Sequence, residues 1–474
     1  MEEKKYPLVV DLDGTLISTD ILMEQTFKLI KDKPFYFFFV IFWLFKSYAY
    51  LKNEVSKRVV LNISLLPFKF NVLNYVKEQK KTGRTIILAT AAQFEVAQSI
   101  ASYLNLFDEV LATTPDLNLR GNNKRKVLNE KFGEKGYDYV GDAYVDLNVW
   151  KSARKAILIE PTKDLVARAQ KISEIEKIFY PSNNKFRTLI KSIRISQWVK
   201  NLLLFVPILL SHTLNPSGYL ITLFGFVLFN FLSSAVYLLN DLNDLESDRE
   251  HPLKKKRPLA SGEMHLSTGL YLSIFLIILS FALSSLLLNY QFTLILLAYL
   301  FSNILYTLSL KTKPIIDIIT LSILYTLRLI AGGILSDVVL SDWFISFSIF
   351  FFTSLAVLKR YTELKLFSTA SLNLSNKRGY TFEDINFLLF SGLSLSFIST
   401  LIFLLYTQSE KVYKMYSNPK YLIFIAPILL FFNMRTWYKA TKITNTDNPI
   451  EIILKDKINY ILFLLTLLIL IIAI

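Results

Sequence analysis

Hydrophobic and polar positions change their rhythm near residue 180. Before it, short apolar runs alternate with charged stretches at helical spacing. Tyr6–Val10, Thr85–Ala89, Tyr137–Val140 and Lys155–Ile159 each read as a buried strand. Strands alternating with helices predict a parallel α/β sheet that carries its chemistry at the carboxyl ends of the strands. Leu165–Ile178 reads as a charged amphipathic helix, and Pro181-Ser182-Asn183-Asn184 as a linker. Nine apolar runs follow: Asn201–His212, Gly218–Leu239, Leu266–Leu288, Phe292–Leu310, Ile315–Leu335, Trp343–Leu358, Phe387–Tyr406, Tyr421–Phe432 and Ile458–Ile474. They predict an all-α bundle of nine transmembrane helices. The domains are then 1–180, a linker at 181–189, and 190–474.

Composition agrees with a membrane protein. A mean hydropathy of +0.39 and 53% apolar residues exceed what an ordinary soluble chain carries. A net charge of +15 would suit nucleic acid, but its placement argues for lipid instead. Arg249, Lys254–Arg257, Lys311, Lys313, Lys359, Arg360, Lys365, Lys377, Arg378, Arg435, Lys439, Lys442, Lys455 and Lys457 fall in alternate loops; the opposite loops hold Lys411, Lys414 and Lys420. By the positive-inside rule the basic loops face the cytosol, together with the N-terminal domain. An inner (cytoplasmic) membrane protein without a nucleic-acid partner is expected. The absence of Cys excludes disulfides and thiolate chemistry, and three His make a multi-His metal site improbable. MEEKKYP opens acidic and runs straight into a strand, unlike a signal peptide.

The first strand ends in Asp11-Leu12-Asp13-Gly14-Thr15, where two carboxylates two residues apart can face a metal and a phosphoryl group. In order along the chain follow Thr90 at the end of a strand, Lys124 after a loop, and Gly141-Asp142 with Asp146. Thr90 offers a hydroxyl to a phosphate oxygen, and Lys124 offers a charge that would neutralise a phosphoaspartate; Lys126 is its rival in the same basic run. This ordered set resembles the haloacid dehalogenase-like phosphohydrolases over about residues 6–160. The resemblance implies a Rossmann-like domain with Asp11 as nucleophile and Asp13 as general acid and base. Thr90 and Lys124 would bind phosphate, and Asp142 and Asp146, beside Asp11 and Asp13, would hold Mg²⁺. The helical insert at about 16–84 stands where that family carries a cap. Its Pro34–Phe45 run, without a charge, reads either as an interfacial helix or as a buried cap helix.

In the membrane half, Asn240 to Gly262 packs charge directly against an apolar run. Asp241, Asp244 and Asp248 are spaced to share one helical face, where they repel unless a cation such as Mg²⁺ lies among them. Lys254 to Arg257 supplies charge of the sign phosphate needs. Other polar groups recur at the same ends of the spans: Lys200-Asn201 after Gln197-Trp198, Tyr306, Lys311, Asp317, Lys359-Arg360, and Arg328 inside the fifth run. An intramembrane Arg is costly and usually faces a functional cavity. Residues 190–474 resemble the UbiA superfamily of intramembrane prenyltransferases through N-D-x-x-D-x-x-x-D at Asn240–Asp248. Where aromatic-prenylating members commonly carry D-x-x-x-D, this chain has the single Asp317, which looks more like the branch that transfers phosphoribosyl groups to decaprenyl phosphate. That likeness implies phosphoribosyl diphosphate as donor, polyprenyl phosphate as acceptor, Mg²⁺ as cofactor, and an α/β domain that removes the 5-phosphate of the product. Asn240, Lys200, Asn201, Lys254, Arg257, Tyr306, Lys311, Arg328, Lys359 and Arg360 would bind substrate, and Asp317 a second metal or a ribose hydroxyl. A true prenyltransferase is the main rival reading; a transporter or channel with a soluble regulatory domain is another, whose signature of internal repeats the two halves do not clearly carry.

Overall fold

The computed structural model describes residues 5–114, 117–181, 184–212, 215–369, 378–442 and 449–474. Lys377 and part of the expected linker, Ser182 and Asn183, lie outside the described residues. Contacts divide the chain into two compact units, Met1–Ile195 with Tyr237–Phe275, and Ser196–Val236 with Leu276–Ile474. This division differs from boundaries drawn along the sequence because Tyr237–Phe275, with the Asp-rich stretch, groups with the N-terminal fold.

The first unit is built on six parallel strands: β1 (Leu8–Val10), β2 (Ile86–Gln93), β3 (Glu109–Thr113), β4 (Asp138–Gly141), β5 (Lys155–Ile159) and β6 (Glu174–Phe179). Their spatial order is β3-β2-β1-β4-β5-β6, with Leu8 opposite Ile86 on one side and Asp138 on the other. The central strands are apolar on both faces because helices cover both. Leu8, Val10, Ile86 and Leu88 point to one core, and Val9, Ile87 and Ala89 to another shared with Trp150 and Tyr139. Asp138, fully buried at the start of β4, is held by Arg154 (Nε to Oδ1, 3.0 Å) and Arg84, so this acid serves the sheet.

One sequence expectation needs correction in this unit. Leu165–Ile178 is not one helix: a helix at Lys163–Gln170 is followed by β6, whose Glu-Ile-Glu-Lys-Ile-Phe pairs along β5 as an edge strand. Within the uncharged Pro34–Phe45 run, Trp43 faces inward. In the insert, α1 (Ile21–Asp32), α2 (Tyr36–Lys46) and α3 (Tyr48–Ser56) enclose Leu22, Leu29, Trp43, Leu51 and Val55. The rest of α2 and its approach are open, with Phe35, Phe38, Phe42 and Phe45 all exposed and Phe45 at 87%.

The second unit is helical. Among the described residues, seven helices are long and apolar enough to cross a membrane, or eight if the bent pair Lys185–Ser192 and Ile195–Leu210 is one span. Nine spans were expected. The last run forms Lys457–Ala473, only 17 residues long, so the count among the described residues is lower. Phe229, Leu232, Phe292, Leu296 and Leu324 form one core of the bundle, and Val357, Leu358, Leu388 and Trp437 another.

Candidate active sites

Because β1 stops at Val10, Asp11 and Asp13 leave the sheet at its carboxyl edge, beside the ends of β2 and β4. Lys124 Nζ lies 2.9 Å from Asp11 Oδ2 and is buried, whereas Lys126 is exposed. Of the two lysines, Lys124 is the one that meets Asp11. Thr90 is buried, its Oγ1 accepting from the Ala92 amide at 3.0 Å. Asp142 Oδ1 accepts from Thr15 Oγ1 at 2.9 Å, and Asp146 Oδ2 accepts from the amides of Asp142 and Ala143. Gly14 has φ +73°, and a Cβ there would stand 2.2 Å from Asp142 Oδ2, so the turn that follows Asp11 and Asp13 admits glycine alone.

Tyr139, which the motif reading passed over, is at the centre. Its phenol accepts from Lys124 Nζ at 2.9 Å and shares its proton between Asp146 Oδ1 at 2.9 Å and Asp11 Oδ2 at 3.2 Å. Its position two residues before Gly141 on β4 was the available signal, since alternate strand residues share a face. Lys52 was also missed; its Nζ donates to the carbonyl of Ala91, next to Thr90, at 3.0 Å.

Charge at this edge is in excess. Burial, then the nearby charge of Asp20, raises the Asp13 pKa well above the usual carboxylate range, although the Ile21 amide donates to its Oδ1 at 2.9 Å. Burial, then Asp146 and Asp11, push Asp142 up to about 7; burial, then Asp11, push Asp146 up to about 6. An oxygen-only donor set with surplus negative charge fits Mg²⁺ in chemical type. Among the described residues, no group of three or more acidic, His or Cys side chains is arranged as a finished cation cage.

The Asp-rich stretch is not a single helical face. The helix Pro216–Asn243 ends before Asp244, whose backbone (φ −104°, ψ 16°) begins a separate helix, Leu245–Glu250. Asp241 is thus in the last turn of one helix, Asp248 in the next, and Asp244 at the joint, its Oδ1 3.4 Å from Asn243 Nδ2. Arg257 Nη1 lies 2.5 Å from Asp248 Oδ2 and 3.1 Å from Asp241 Oδ1, and Arg194 also pairs with Asp241. The cation between these carboxylates here is a guanidinium. Burial, against the pull of Arg257, holds Asp248 up to about 6. Asn240 and Lys254 are half-buried nearby in sequence. The oxygen donors again suit Mg²⁺ by type, with Arg257 standing where the ion's charge would act.

The remaining positions belong to the second unit. Arg328 donates to Asn201 Oδ1 (2.7 Å), the Tyr299 phenol (3.0 Å) and the Leu324 carbonyl, and Asn201 in turn donates to Asn230 Oδ1 at 2.7 Å. Its donors tie three helices together, so it braces the bundle instead of lining an open cavity. Asp317 is fully buried and holds Arg360 and the Tyr380 phenol (2.7 Å), while Arg360 also donates to Glu363 and to Tyr306 at 2.8 Å. Asp317, Arg360 and Tyr306 therefore form one closed network. Lys200 and Lys359 are half-buried, with no carboxylate partner among the described residues, and Lys311 follows the helix Tyr290–Leu308.

Residues 202–437 match the UbiA prenyltransferase family. The uncharacterized protein y4nM of Sinorhizobium fredii is 32% identical over 462 residues, spanning 97% of this chain and 89% of its own length. The decaprenyl-phosphate phosphoribosyltransferase of Corynebacterium glutamicum is 35% identical over 190 residues, 39% of this chain and 57% of that enzyme. A crystal structure of phosphoserine phosphatase in apo form aligns over 40% of this chain and 98% of its own, at 18% identity and a TM-score of 0.28. With its Asp-rich N-D-x-x-D-x-x-x-D element inside that match and a relative 32% identical over 97% of its length, the chain belongs to the UbiA prenyltransferase family.

Proposed function

We propose that the membrane half transfers 5-phosphoribosyl from phosphoribosyl diphosphate to a polyprenyl phosphate, and that the α/β domain then removes the 5-phosphate from the lipid product. One observation carries the donor assignment. Asp317, which stands alone where prenylating members have a second acidic pair, is closed off by Arg360 and Tyr380. Asp241, Asp244 and Asp248 are left as the acidic cluster for one diphosphate. The 35% identity to a phosphoribosyltransferase supports the same reading.

Asp241, Asp244 and Asp248 would hold Mg²⁺ in the transferase site, and Asp11, Asp13, Asp142 and Asp146 in the phosphatase site, where the ion supplies positive charge against departing diphosphate or transferred phosphoryl. Arg257 and Lys254 meet diphosphate oxygens; Arg257 exchanges carboxylate partners for phosphate as the donor arrives. Asn240 orients polar groups of the donor. Lys200, Lys311 and Lys359 attract the lipid phosphate, whose oxygen attacks the anomeric carbon as the bond to diphosphate breaks.

In the second step Asp11 attacks phosphorus and the bond to the ribose 5-oxygen breaks. Asp13, whose pKa burial raises, gives that oxygen its proton. Water then attacks the phosphoaspartate, Asp13 takes the water's proton, and inorganic phosphate leaves. Lys124 and Thr90 offset the phosphoryl charge. The exposed phenylalanines of α2 keep the domain at the lipid surface, with both sites cytosolic.

The test is label transfer. Membranes carrying the chain, given labelled phosphoribosyl diphosphate, Mg²⁺ and polyprenyl phosphate, are expected to move label into the organic phase. Asp241→Ala, Asp244→Ala and Asp248→Ala are each expected to stop it. Prenylation of an aromatic acid from a polyprenyl diphosphate, without ribosyl transfer, would favour the family's other chemistry.

A further inference from the structure

The Asp-rich loop and the phosphatase insert are joined within the first unit by an ion pair that neither motif accounts for. Arg249, adjacent to Asp248, places Nη2 2.6 Å from Glu24 Oε1 and Nη1 3.1 Å from Glu24 Oε2. The side chains are 7% and 3% exposed. Both ends are tied onward. Arg249 Nε donates to the carbonyl of Ala260 at 2.9 Å, and Glu24 Oε1 accepts from Thr19 Oγ1 at 2.8 Å. Glu24 lies in the first turn of α1, whose first amide, that of Ile21, donates to Asp13 Oδ1. A continuous chain of contacts thus runs from the general acid Asp13 through α1, Glu24 and Arg249 to Asp248. Two further contacts share this face: Lys28 Nζ to Glu246 Oε1 at 2.6 Å, and Gly262 against Ser18. Gly262 has φ +78°, and a Cβ there would stand 2.4 Å from Ser18 Cβ.

We propose that Glu24 and Arg249 are positioning residues for both reactions: the pair fixes the Asp241–Asp248 loop on α1 and, reciprocally, fixes the first turn of α1 that orients Asp13. Bidentate Arg–carboxylate geometry sets orientation as well as distance, which a peripheral Lys pair does not. Displacing a group that is far from the bond being broken still costs rate when the reacting geometry shifts. This inference rests on the two-reaction reading above.

The full-length chain in its membrane is the test object. Variants are Glu24→Gln, Arg249→Gln, the conservative Arg249→Lys, and the reversed pair Glu24→Arg with Arg249→Glu. Docking is read separately from catalysis: the chain has no Cys, so Lys28→Cys with Glu246→Cys reports through a short bis-maleimide. Glu24→Gln and Arg249→Gln are each expected to slow crosslinking and to lower kcat for ribosyl transfer and for soluble phosphomonoester hydrolysis by about tenfold, with KM within about twofold. The reversed pair is expected to recover more of all three than Arg249→Lys does. Unchanged crosslinking and rates in both Gln variants overturn the proposal. So does slowed crosslinking with both rates intact, because the loop would then need no strut. Absence of ribosyl transfer in the unmodified chain would defeat the donor assignment instead, and crosslinking with phosphomonoester hydrolysis would still decide the strut.

Discussion

Replacing Arg360 by Met tests what the closed network around Asp317 does. The substitution keeps an unbranched side chain of similar reach and removes the guanidinium that meets Asp317, Glu363 and Tyr306. Glu363 retains Arg378, 3.4 Å away, but Asp317 keeps only the Tyr380 phenol and has no access to water. Breaking a buried pair from one side strands the other charge, at a cost of about 3–5 kcal/mol. For a unit of roughly 240 residues each kcal/mol moves Tm by about 2–4 °C, so a drop of about 6–20 °C is expected. Adding Asp317→Asn removes the stranded charge and is expected to restore more than half of that loss. Thermal melts in detergent at one fixed scan rate make the comparison, since heating such a chain is irreversible. A single variant within about 2 °C of the parent, or a double variant at the sum of the two single losses, would refute the argument that Arg360 neutralises Asp317.

Three more outcomes are expected. Asp11→Asn should leave ribosyl transfer intact and make the 5-phosphorylated lipid accumulate, as seen by thin-layer separation before and after mild phosphatase treatment; a lipid profile like the parent's would assign the domain another substrate. Tyr139→Phe should fold normally yet lower phosphomonoester hydrolysis by about tenfold or more, because Asp11 and Asp146 lose a shared hydrogen bond; parental kcat would remove Tyr139 from the site. The third concerns pH. Asp142 and Asp146 titrate near 7 and 6 in the folded chain, against about 3.8 unfolded, so the folded state binds their protons more tightly. Their contribution to stability is fully present below about pH 4 and is lost as pH rises from there to about 6 to 7. Without divalent ions the Tm should fall across that window, and added Mg²⁺ should restore it increasingly with pH; a Tm that rises with pH under chelation would contradict the assignment.

The parallel sheet and its acidic edge were legible because each strand is a short apolar run ending in a recognisable turn, and because period-two placement fixes which side chains meet. The sixth strand was not, since Glu174–Phe179 is charged, edge-exposed and too short to outweigh a preceding helix. Asp241, Asp244 and Asp248 were identifiable as a group, but spacing alone implies an unbroken helix and says nothing of the turn at Asp244. Arg257 lay in a basic run that reads as phosphate-binding; only folding shows it returning to carboxylates nine and sixteen residues earlier. Trp43 sits among exposed phenylalanines in one uncharged run, and which member faces inward depends on α1 and α3. Glu24 with Arg249 was beyond any local pattern.

The partners of that pair stand 225 residues apart in the chain. At a synthesis rate of about 5–20 residues per second, Glu24 precedes Arg249 by roughly 10–45 s. For the last 70 residues of that interval, between Phe179 and Arg249, all six strands of the nascent N-terminal domain have been made, yet the face that will receive the loop is open. A carboxylate can wait in water without penalty, and Lys28 beside it is equally well hydrated. An apolar seam of the same extent would offer a sticky patch to other nascent chains for as long. Closing this contact through ions lets the early domain remain soluble until a later part of the same polypeptide arrives to complete it.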